Sequence, residues 1–240
     1  MTGAKLSYRK ITERIAGKLN LLEAYLFYCL ALKSDCYTMK SYIKQENLAT
    51  FYGIKKVDQI REWLHKFKEL NLIQINKYEA KGKHGTFDRC AYILNTEHFV
   101  FISNKLYDEP ISKQLKGFLI LLKCKCLNGS NTCKYTQTEL AEELNISRST
   151  VSRYLEQAEK MGYIKRDDKG IHLRDKKMFI ITSETIFAII KNYYPEILTD
   201  EDLRRTVRMQ FSFYCISLLI LEAPNQLGLG LFMYIPNSKI

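Results

Sequence analysis

The sequence predicts a mainly α fold with small β-hairpins, in which one helical unit occurs twice and a helical tail follows. Three observations predict it. The stretch LAEELNISRSTVSRYLEQAEKMGYI (Leu140–Ile164) carries apolar residues at helical spacing on both sides of a short polar turn. A looser version, ENLATFYGIKKVDQIREWLHKFKELNLI (Glu46–Ile73), stands earlier in the chain. The segments flanking the two stretches also repeat in the same order.

The overlay is residue by residue. Leu140, Ala141, Leu144 and Ile146 match Leu48, Ala49, Tyr52 and Ile54. After one extra residue in the first copy, Val151, Leu155, Ala158, Met161 and Ile164 match Ile60, Leu64, Phe67, Leu70 and Ile73. Upstream, the apolar helical stretches LLEAYLFYCLALKSD (Leu21–Asp35) and KGFLILLKCKCLNGS (Lys116–Ser130) both end in turn residues before the motif. Downstream, ILNTEHFVFISNKLY (Ile93–Tyr107) parallels IITSETIFAIIKNYY (Ile180–Tyr194). The expected division is therefore 1–109 for the first copy, 110–195 for the second and 196–240 for the tail.

Within each copy the long helix has one apolar face, made by Val151, Tyr154, Leu155 and Ala158 in the second and by Ile60, Trp63, Leu64 and Phe67 in the first. Ser147 is the expected N-cap of the second copy's long helix and Gly162 its C-cap. KRDDKGIHL then reads as a hairpin between short strands. The first copy's hairpin, INKYEAKGKHGTFDRCAYIL, is longer and more basic, with Gly82 and Gly85 marking its tip. In the tail, TDEDLRRTVRMQFSFYCISLLIL reads as a helix with Thr199 as N-cap and an apolar second half, packed on the second copy or serving as a homodimer contact.

Charge narrows the partners. Thirty-seven Lys and Arg against 26 Asp and Glu give a formal net charge of +11, which favours a polyanion such as nucleic acid or an anionic membrane surface. The longest apolar stretch, MQFSFYCISLLIL, is shorter than the roughly 20 residues a membrane span needs. The N-terminal twenty residues are too charged for a secretory signal, and the seven cysteines suit a reducing compartment, so a cytoplasmic protein is expected. Cys124, Cys126 and Cys133 cluster, but zinc prefers four ligands in paired knuckles, and thiols in or near a core are the reading adopted; no metal or other cofactor is expected. Nucleophile motifs, glycine-rich phosphate loops and paired histidines are lacking, so no enzymatic activity is expected.

Helix, short helix, turn, long helix and β-hairpin, in that order, resemble the winged helix-turn-helix of bacterial transcription regulators and plasmid replication initiators. The pattern is carried by ELAEELNISRSTVSRYL, with small Ala141 at the helix crossing, Leu144 and Ile146 around the turn, and Val151 and Leu155 on the inner face. The first copy departs from it, with Gly53, Lys55 and Lys56 at the turn. The resemblance implies a mainly α fold with small β-wings: two tandem winged helix-turn-helix domains plus a C-terminal helical tail. It also implies sequence-specific binding of double-stranded DNA, in general form transcription regulation by operator occupancy. The alternatives are a replication initiator of a plasmid or mobile element, in which the first domain would serve mainly in dimerisation, and a protein–protein adaptor using the same modules.

On that reading, Arg148, Ser149, Thr150, Ser152, Arg153 and Gln157 of the second copy face the major groove, Arg making base contacts and Ser or Thr holding phosphates or bases. Lys165 and Arg166 of its hairpin lie beside them. In the first copy Lys55, Lys56, Gln59, Arg61, His65 and Lys66 form the outer face of the long helix. Lys77, Lys81, Lys83, His84 and Arg89 make its hairpin a basic finger for phosphates or a neighbouring minor groove.

Overall fold

The computed structural model describes residues 8–36, 38–82, 85–127, 130–175 and 177–181. The tail from residue 196, and all but the first two residues of the 180–194 segment matched to Ile93–Tyr107, lie outside them. Strand β1 (Tyr8–Thr12) leads through a 3-10 turn (Glu13–Ile15) into α1 (Leu21–Leu32). There follow β2 (Lys40–Ser41), α2 (Gln45–Tyr52), α3 (Val57–Glu69), β3 (Ile73–Gly82), β4 (Gly85–Leu94), β5 (Phe99–Ser103) and the short α4 (Lys105–Asp108). Then come α5 (Lys113–Cys124), β6 (Thr132–Cys133), α6 (Gln137–Leu144), α7 (Arg148–Lys160), β7 (Ile164–Asp167) and β8 (Gly170–Leu173).

The order helix, short strand, helix, helix, hairpin occurs twice, as α1-β2-α2-α3-β3-β4 and as α5-β6-α6-α7-β7-β8. Each set closes a three-stranded antiparallel sheet with the hairpin's second strand in the middle: β2-β4-β3 and β6-β8-β7. The expected hairpins are present, Gly82 pairing with Gly85 in one and Asp167 with Gly170 in the other. Strands β2, β6 and β1 were not expected. The first two span only two residues each, and β1 pairs with β5 from Tyr8↔Ser103 to Thr12↔Phe99, across most of the first copy.

Helix starts follow local chemistry. Asn20 caps α1 in a capping box with Glu23, whose carboxylate accepts from the Asn20 N–H at 2.9 Å. Ser112 caps α5, which starts at Lys113, three residues before the expected apolar stretch at Lys116; its hydroxyl accepts from the Leu115 N–H at 3.1 Å. Ten of the twelve residues of α1, and ten of the twelve of α5, are buried, so neither helix has a solvent face of any width.

They are buried against each other. Tandem domains would each have a core of their own, but the buried apolar side chains form one continuous cluster that runs from Ile11 to Phe179 with α1 and α5 at its centre. Their approach is close at Gly117, where a Cβ would lie 1.8 Å from the Leu21 carbonyl oxygen. Further ties bridge the copies: Lys113 Nζ donates to Gly53 O at 2.8 Å, and Lys105 Nζ to Asp175 Oδ2 at 3.0 Å. Within the second copy, Lys125 pairs with Glu143 at 2.5 Å.

Cys29, Cys124, Cys126 and Cys133 are buried thiols, and burial pushes Cys126 up to about 12. Among the described residues no group of three or more His, Cys, Asp or Glu is placed to hold a metal ion. Among them, too, no helix is long and apolar enough to cross a membrane.

Candidate nucleic-acid interface

Helices α6 and α7 form a tight helix-turn-helix whose geometry follows from a few side chains. Thr136 and Glu139 make a capping box that starts α6, with Thr136 N–H donating to Glu139 Oε2 at 2.8 Å. Asn145 ends it in the left-handed region at φ 52°, and Ile146 N–H reaches back to Ala141 O at 3.0 Å. Ser147 is the N-cap of α7, its hydroxyl accepting from Thr150 N–H at 3.2 Å, as expected. The C-cap is Met161 rather than Gly162; the glycine stands one residue beyond, at φ 79°.

The stripe of α7 expected to face the core does so: Val151, Tyr154, Leu155 and Ala158 are buried. Arg148, Ser149, Arg153 and Gln157 are exposed, and Thr150 and Ser152 half-buried. Several already have intramolecular partners. The Ser149 and Thr150 hydroxyls lie 3.0 and 2.7 Å from Ser147 Oγ, and Ser152 Oγ donates to Glu156 Oε1 at 3.0 Å. The Arg153 guanidinium lies over the Tyr154 ring, 4.9 Å from its centroid, and Tyr154 in turn stacks on Phe118. That seat leaves Arg153 exposed yet reduces the rotamer freedom it would lose on binding.

In the hairpin, Lys165 is exposed while Arg166 is committed inward. Its Nε and Nη2 donate to Glu159 Oε2 at 2.9 and 2.5 Å and its N–H to Oε1 at 3.0 Å, which ties strand β7 to the last turn of α7. The same hydrogen bonds hold the Glu159 carboxyl below its usual range. Arg166 therefore orients the wing rather than offering a free cation. Across the hairpin, His172 Nε2 meets Asp167 Oδ1 at 2.8 Å and its Nδ1 meets Thr132 Oγ1 at 3.1 Å, joining all three strands of this sheet.

The first copy repeats the turn with different residues. Gly53 takes the left-handed position at φ 82°, and Ile54 N–H reaches Ala49 O at 3.0 Å, the same bond as in the second copy. The outer face differs from expectation. Helix α3 starts at Val57, so Lys55 and Lys56 are exposed in the turn before it, with Lys56 as an N-cap that makes no side-chain bond. Arg61 pairs with Asp58 at 2.8 Å, Gln59 is half-buried, and His65 is exposed. Lys66 does not face outward as a free charge, because its ammonium holds the buried Glu23 carboxylate at 2.7 Å. On the hairpin Lys77 is exposed and Arg89 half-buried; the Lys81 side chain and residues 83–84 lie outside the described residues.

Residues 130–165, from just before β6 to the start of β7, match a family model described as winged helix-turn-helix DNA-binding. The match covers the turn, its two helices and the root of the wing, and it supports a DNA-binding role. No curated protein matches the chain.

Proposed function

We propose that this chain binds double-stranded DNA at specific sequences, that α7 is its recognition helix, and that it acts without catalysing a reaction. One observation carries the reading: α7 is anchored by a fully buried stripe and a capped N-terminus, while Arg148, Arg153 and Gln157 stand exposed on its other side. Such a helix can enter the major groove with its N-terminal residues at base edges, and Arg there discriminates guanine by about 1–3 kcal/mol per bidentate contact. Lys165, beside the helix on β7, is assigned to the phosphate backbone. In the first copy Lys55, Lys56 and Lys77 are assigned the same role.

We read the two sets of elements as tandem winged-helix domains, 1–109 and 110–195, followed by the tail 196–240. The general form of the function is regulation of transcription by occupancy of an operator. A second reading, initiation of replication on a mobile element, is favoured by the recurrence of one element order in a single chain around a shared core. Homodimerisation through the tail or the first domain fits either reading.

The test is selection of bound duplexes from a random pool, followed by salt titration of the selected site. A defined site with steep salt dependence supports the reading. Absent binding, or binding indifferent to ionic strength, leaves the adaptor alternative. A single site beside a promoter indicates regulation; repeated sites beside an origin indicate initiation.

A further inference from the structure

The first copy's sheet has a face that the helix-turn-helix reading does not use. Cross-strand partners point to the same side of a sheet, and so do residues two apart on a strand. Ser41, Tyr92, Leu94 and Ile73 are buried and mark the inward side. On the other side Lys40 pairs with Ile93 and Ile93 with Gln74, while Ala91 pairs with Asn76 and Arg89 with Tyr78. Continuing the β2 register by one residue brings Tyr42 level with Ala91, whose small side chain lets the ring lie across β4. There Tyr42 meets Tyr78 edge to face, ring centroids 5.6 Å apart at 85°.

Tyr42 is 56% exposed, in a fold that exposes few large apolar side chains. Lys40, Gln74 and Asn76 around it are exposed too. Among the described residues of this face there is no carboxylate; Glu79 belongs to the opposite parity. An exposed tyrosine braced edge to face by a half-buried one, flanked by Lys40 and by two amides on a three-stranded sheet, has the chemistry of a base-stacking platform with a phosphate partner. A duplex keeps its base faces stacked and hidden, so the ligand with accessible bases is a single strand.

We propose that the outer face of the β2-β4-β3 sheet binds single-stranded nucleic acid, with Tyr42 and Tyr78 stacking on bases and Lys40 facing the backbone. This goes beyond the duplex reading and does not depend on α7. The test is anisotropy of a labelled oligothymidylate of about 15 nucleotides, titrated with the full chain, with duplex binding measured in parallel. Tyr42→Ala and Tyr78→Ala are each expected to weaken single-strand binding roughly tenfold, while Tyr42→Phe retains it. Duplex affinity should stay unchanged in all three, which separates this face from α7.

No single-strand binding by the wild-type chain overturns the proposal. Affinity unchanged in both alanine variants but lost in Lys40→Ala marks a plain polyanion surface and overturns it as well. A shift in the sedimentation of the free protein on Tyr42→Ala would identify a contact between copies and reject the platform.

Discussion

Lys66 of α3 grips both oxygens of the Glu23 carboxylate, at 2.8 and 2.7 Å, although Glu23 is only 4% exposed at the start of α1. A buried carboxylate tolerates its burial through such partners, here the ammonium and the Asn20 N–H. Lys66→Met is therefore expected to cost about 1–3 kcal/mol of stability, with the exposed lysine end moderating the loss. Adding Glu23→Gln should recover part of it. Urea unfolding of the two single variants and the double variant measures the coupling, and strict additivity would deny it.

Gly117 sits where α5 passes over the Leu21 carbonyl, and a methyl group there has nowhere to go because the obstacle is backbone. Gly117→Ala should destabilise the protein by about 3 kcal/mol despite its better helix propensity. A variant as stable as wild type would mean that α1 and α5 can separate at little cost.

The cap of α7 offers a smaller, local effect. Ser147→Ala removes the acceptor for the Thr150 N–H and is expected to cost about 1 kcal/mol. Ser147→Asp should preserve stability while placing a carboxylate at the groove-facing end, so that duplex affinity falls with thermal stability unchanged.

Arg148, Arg153 and Arg166 look equivalent as sequence and are not equivalent in the structure. Arg148→Ala and Arg153→Ala should relax base preference by about 1–3 kcal/mol at the positions they read. Arg166→Ala should act through the wing, lowering stability by about 1 kcal/mol and leaving base preference intact, since its partner is Glu159. Selection from a random pool with each variant distinguishes the two outcomes.

Lys123 is fully buried, donating to Ser130 O at 2.7 Å and to Asn131 Oδ1 at 2.9 Å, and burial lowers its ammonium from the ordinary 10.5 to about 8. Between those values the unfolded chain holds a proton that the folded chain has released, so this residue's contribution to stability rises with pH across that window. Relative to Lys123→Met, the wild type should gain on the order of 2 kcal/mol between pH 8 and pH 10. Comparing the two proteins cancels the opposite trend from buried tyrosines and thiols. A flat difference would show that the amine stays charged in the fold.

Much of the local architecture was legible because it depends on neighbours within a few residues. Apolar spacing marked both long helices, Ser147 the start of α7, and glycines the hairpin tips. The candidate site was legible only in part. Arg148, Arg153 and Gln157 are exposed as expected, but Lys66 and Arg166 are held by Glu23 and Glu159, and Lys55 and Lys56 precede α3 rather than line it. Tyr42 carried no signal, because β2 is two residues long and its role appears only once it is laid against β4.

By itself the sequence determined the repeated unit, its periodic apolar faces, its turns and its excess of positive charge, all of which are written in short-range pattern and composition. The tertiary structure alone decided that the two copies share one core, which cations are spent inside the fold and which residues meet on the open face of the first sheet. Those outcomes join groups distant along the chain, such as Glu23 with Lys66 and Leu21 with Gly117, and they are fixed by packing and cross-strand register, to which helical spacing is blind.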